Sequence, residues 1–92
     1  MSTKKVFDES QASEIAKQLN IDWDSVKFDL EQFRHGMDVE LEHGSEDEIT
    51  NVTNDDPLLS GKIALAHLNE FPDYYVRLDK MEEEAEKFWE DQ

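Results

Sequence analysis

Apolar side chains recur at intervals of three and four residues through four stretches of the chain, and only three glycines and two prolines interrupt them. That period places the apolar groups on one face of an α-helix, whereas a half-buried strand needs strict alternation. So few turn-forming residues leave little room for the repeated hairpins of an all-β domain. The sequence therefore predicts an all-α fold: a small bundle of about four helices, with a polar loop between the second and the third.

The helix boundaries have local causes. Asp8 and Gln11 form a D-x-x-Q capping pattern that starts the first helix, whose apolar stripe is Ala12, Ile15, Ala16 and Leu19, with Asn20 as the stop. Residues 21–26 then read as a short turn that brings Trp23 to one end of the core. Asp29 and Gln32 repeat the capping pattern, and Leu30, Phe33, Met37 and Leu41 mark the second helix, with Gly44 expected to end it in a left-handed conformation. Gly36 falls inside that helix at a cost of up to about 1 kcal/mol relative to alanine, which predicts a close approach by a neighbour.

Residues 44–56 read as a polar, acidic loop. The third helix starts at Asp56-Pro57, a carboxylate cap followed by proline, and its apolar face is read as Leu59, Ile63, Ala66 and His67, flanked by Leu65 and Leu68. Pro72-Asp73 opens the last helix, expected to bury Tyr74, Leu78, Met81, Ala85 and Phe88 as a heptad-like stripe. The same stripe would also serve a homodimer. Residues 1–92 are read as one helical domain, with 1–7 a flexible N-terminal segment.

Charge then limits the function classes. The 92 residues hold 24 acidic and 9 basic side chains, a formal net charge of −15. Direct nucleic-acid binding is excluded as an expectation, because such a field repels phosphates and offers few cations to replace counterions. No run suits a membrane span, and the first two lysines have no apolar stretch behind them, so neither a signal peptide nor an anchor is expected. There is no cysteine, which fits a cytoplasmic location and leaves only His and carboxylate ligands for any metal. Nine aromatics and eight leucines argue against disorder. Distribution matters as much as total. Eight acids and no Lys or Arg lie between Arg34 and Lys62, and seven acids against two lysines follow from Asp79 onward.

The histidines carry the main chemical question. Glu40-x-x-His43 and His67-x-x-Glu70 each put an imidazole and a carboxylate three residues apart on a helix, so both pairs could face a point between two helices. Bundle di-metal sites use related spacing, and zinc, iron or manganese are the divalent metals such donors suit. The alternative is structural. His43 would offset its helix dipole and His67 would bond a carboxylate or tyrosine in the core. His35, beside Arg34, reads as solvent-facing. The loop lacks the glycine and glutamate of an EF-hand, so its Asn, Thr and Asp side chains are expected to satisfy loop amides. No catalytic residue emerges: there is no cysteine, no elbow motif around Ser60 and no phosphate-cradling glycine loop.

Glu40-Leu41-Glu42-His43-Gly44, then Thr50-Asn51-Val52-Thr53-Asn54-Asp55-Asp56, then Lys62-Ile63-Ala64-Leu65-Ala66-His67-Leu68-Asn69-Glu70-Phe71-Pro72-Asp73-Tyr74-Tyr75 resemble an uncharacterised family of small acidic bacterial and phage proteins, a domain of unknown function. The resemblance spans about residues 21–81. It implies no activity, but it adds Glu42, Asp73 and Tyr74 to the polar residues of interest. Three readings follow: a non-enzymatic interaction or regulatory module for a protein with a basic surface; a metal- or small-ligand-binding domain on Glu40, His43, His67 and Glu70; and a DNA-mimic inhibitor of a nucleic-acid-binding protein.

Overall fold

The computed structural model describes residues 5–91, and its elements run α1 (Glu9–Gln18), α2 (Leu30–Leu41), α3 (Pro57–Glu70) and α4 (Tyr74–Glu90). No strand occurs among the described residues. The expected bundle of four helices with a polar loop between the second and third is present.

Three helix starts form as the sequence predicts. The Asp8 carboxylate accepts the Gln11 amide at 2.8 Å while Gln11 Oε1 accepts the Asp8 amide at 2.9 Å, and Asp29 with Gln32 makes the same exchange at 2.8 Å both ways. Asp56 accepts the Leu58 amide at 2.8 Å beside Pro57. Asn20, at φ 58°, closes α1: the Ile21 amide returns to the Ala16 carbonyl and the Asn20 amide to that of Lys17.

The end of α2 departs from expectation. The helix stops at Leu41, about one residue early, and Gly44 is not left-handed; the loop's positive φ values fall at Asn54 and Asp55 instead. Gly44 is needed for space, since a Cβ there would collide with the Asp55 carboxylate. That carboxylate accepts both the amide and the hydroxyl of Ser45, and this pairing holds its pKa below the ordinary carboxylate range. Across the loop the His43 carbonyl accepts the Val52 and Thr53 amides, and Asn51 accepts the Asn54 amide at 2.7 Å. The loop's polar side chains satisfy its backbone.

The core is built mainly by the first three helices. Ala12, Ile15 and Ala16 of α1 meet Phe33 and Met37 of α2 and Ala64 and Leu68 of α3, with Phe28 and Phe7 at the margins. Trp23 is edge-on to Phe28 and Phe33, as expected of a residue closing one end. The buried face of α3 is Ser60, Gly61, Ala64 and Leu68, whereas Leu59 and Ala66 are exposed, so the sequence reading set that helix about one position off. Small residues explain the difference. A Cβ on Gly36 would lie 3.1 Å from the Ala64 Cβ, so α2 and α3 approach too closely for a larger seam.

Two further expectations change. Of segment 1–7, residues 1–4 lie outside the described residues, but Phe7 is buried and its amide bonds the Asp38 carboxylate at 2.9 Å. In α4 only Tyr75 is buried; Tyr74 and Leu78 are half-buried, and Met81, Ala85 and Phe88 are exposed. The first turns of α4 dock on α2 and α3, and the rest runs past them, consistent with overall extents of 45 × 27 × 21 Å.

Candidate functional site

A buried hydrogen bond ties α4 to α2. The Tyr75 hydroxyl donates to Glu40 Oε2 at 2.7 Å, with Tyr75 and Glu40 only 2% and 5% exposed. Burial first, and the Glu40 carboxylate second, push the Tyr75 phenol far above its ordinary pKa, so it stays a donor. Gly36 makes this placement possible, because a Cβ there would sit 2.5 Å from Tyr75 Cε2. His67 of α3 lies 3.9 Å from the same Glu40 oxygen and stacks on Tyr74 at 4.2 Å between ring centroids, 7° from parallel. On the other side of Tyr75, His35 pairs with Asp79 of α4 at 2.9 Å. The ring cluster thus joins α2, α3 and α4.

The sequence identified several of these residues but paired them within helices, and the structure pairs them across helices. Glu40 and His67 come together. His43 does not join them: α2 has already ended, so the helical spacing fails and the imidazole is exposed. Glu70 ends α3 in solvent, Glu42 is exposed at the end of α2, and Asp73 precedes α4 without a side-chain cap bond. Among the described residues, no group of three or more His, Asp or Glu side chains is placed to hold a metal ion. Tyr74 belongs to the cluster through its stack on His67. His35 faces Asp79 rather than open solvent, and its neighbour Arg34 is buried, bonding Glu31 at 2.7 Å, Asp38 at 2.5 Å and the Phe7 carbonyl at 3.1 Å. Glu31 and Asp38 raise the Arg34 pKa, and Arg34 in turn lowers that of Glu31. The i+3 and i+4 spacing of Glu31, Arg34 and Asp38 was the available signal for this network.

The exposed half of α4 forms a different feature. With the end of α2, the following loop and Val6, it walls an open cleft of about 1360 Å³. Glu82, Ala85, Glu86, Trp89 and Glu90 line one side, at spacings that put all five on one face of α4. Leu41, Glu42, His43, Glu46, Asp47 and Thr50 line the other, with Asp38 and Val6. The two acidic stretches, about 40 residues apart in the chain, therefore share one cleft. No Lys or Arg is among its described lining residues, and its apolar surface comes from Val6, Leu41, Ala85 and a Trp89 that is 71% exposed.

The cleft presents carboxylates around apolar surface. Among the described residues no helix is long and apolar enough to cross a membrane. Residues 12–84 match the family model described as "Protein of unknown function (DUF5661)", and the chain belongs to that family. No curated protein and no solved structure matches it.

Proposed function

We propose that this member of a family of unknown function is a non-enzymatic interaction module that docks a basic surface of a partner protein. The observation that supports this reading is the convergence of two acidic stretches on one cleft with no described cation lining it. Clefts lined by one sign of charge focus the field, raising the on-rate of an oppositely charged partner and rejecting like-charged ones. The apolar surface around Trp89 and Leu41 favours a protein partner over DNA mimicry, which needs carboxylates alone.

The test is salt-dependent capture with two variants of equal charge change. Glu82→Lys with Glu90→Lys alters the cleft, while Glu14→Lys with Asp24→Lys alters exposed positions elsewhere. The reading expects polypeptides held at low salt, released at high salt, and lost only with the cleft variant. An empty capture, or equal loss from both variants, would count against it.

A further inference from the structure

We infer that the occupant of this cleft is a cationic amphipathic helix that lays an apolar side chain against Trp89 and Leu41; the inference rests on the interaction-module reading and specifies its partner. Three features lead to it. Glu82, Glu86 and Glu90 line the cleft at every fourth residue of α4, a repeat of about 6 Å, which is also the repeat of Lys or Arg at every fourth position of a partner helix. Next to this ridge, Ala85 and Trp89, four residues apart, give α4 an apolar strip of the kind that a helix-in-groove partner meets with its own anchors. The open cleft, at about 1360 Å³, is larger than a small metabolite requires.

Charge selects this occupant over a second copy of the chain. Two such clefts would bring Glu82, Glu90, Glu46 and Asp47 of each molecule against those of the other, within a net charge of −15 apiece. A helix with lysines on both flanks of an apolar stripe places cations against both walls. Aromatic anchors in partly apolar surroundings carry a large share of interface affinity, and Trp89 is the aromatic side chain that lines this cleft.

The experiment compares three fluorescein-labelled peptides by anisotropy: an 18-residue Lys/Leu amphipathic helix, the same composition scrambled, and an oligolysine of equal charge. The full chain is used, with Trp89→Ala, the cleft pair Glu82→Lys/Glu90→Lys, and the remote pair Glu14→Lys/Asp24→Lys. The inference expects the amphipathic peptide to bind at least tenfold more tightly than either control. Trp89→Ala and the cleft pair should each weaken it at least tenfold, and the remote pair less than threefold. Equal binding of oligolysine with no effect of Trp89→Ala would overturn the inference and leave the acidic-module reading standing. No binding of any peptide at low salt would overturn both. Concentration-dependent dimerisation abolished by Trp89→Ala would assign the cleft to a second copy and overturn the inference.

Discussion

Replacing Tyr75 with phenylalanine removes one oxygen and leaves the ring in place, so it isolates the hydrogen bond that anchors α4. In the native protein Glu40 is 5% exposed and accepts the Tyr75 hydroxyl at 2.7 Å, while the nearest cationic candidate, His67 Nε2, is 3.9 Å away. Without the hydroxyl, a carboxylate already removed from water loses its direct donor, at a cost of about 2 kcal/mol for a bond to a charged group. For a chain of this length that corresponds to a fall in Tm of about 8–16 °C. The complementary variant, Glu40→Leu with Tyr75→Phe, removes both polar partners and should recover to within about 1 kcal/mol of wild type. Thermal and urea unfolding followed by circular dichroism would read both. A Tyr75→Phe protein melting within about 3 °C of wild type, or a double variant less stable than the single one, would refute the assignment of Glu40 and Tyr75 as a coupled pair.

Gly36→Ala should destabilise despite its better helix propensity, by about 1–3 kcal/mol in urea unfolding, because the new Cβ would meet the buried Tyr75 ring at 2.5 Å. Ser60→Ala should be neutral or stabilising by up to about 1 kcal/mol in the same assay, since the fully buried Ser60 hydroxyl has no hydrogen-bond partner among the described residues. Acid should loosen the 44–56 loop through Asp55. Its pKa is depressed in the folded state, so its contribution is fully present above the ordinary carboxylate pKa and is lost as pH falls through the lower folded value. The protection factor of the Ser45 amide, the exchange rate of the unfolded chain over its own at the same pH, should fall over that window, and Asp55→Asn should remove that change; a global melt would miss it, because protonating other acids relieves a net charge of −15.

Local signals were legible in the sequence where a single turn of chain decides the outcome. Asp8 with Gln11, Asp29 with Gln32, Asp56 with Pro57, and Asn20 all lie where their chemistry predicts. The close approach at Gly36 was also legible, because a mid-helix glycine needs a compensating neighbour. What periodicity could not supply was direction. The Met81, Ala85 and Phe88 stripe has a good helical period, yet all three residues stay exposed, because the core is enclosed mainly by the helices before it. The face of α3 was misread because its buried residues are small: a hydrophobic count favours Leu59 and Ala66, while packing against α2 selects Gly61 and Ala64. The histidine pairs failed for a related reason. Sequence spacing relates residues on one helix, but Glu40 meets His67 and Tyr75 only through the packing of three helices. The cleft was foreshadowed by two acid-rich stretches, whose apposition depends on where the far end of α4 lies.

The most direct test of the account is where a cationic amphipathic peptide touches the protein. Titrating it into ¹⁵N-labelled protein and following amide and indole resonances reports every residue at once. The account predicts shifts concentrated at Leu41, Asp47, Thr50, Ala85 and the Trp89 indole, with the Trp23 indole unmoved. Shifts spread evenly over the acidic surface, α1 included, or a Trp89 indole that stays in place at saturation, would contradict it.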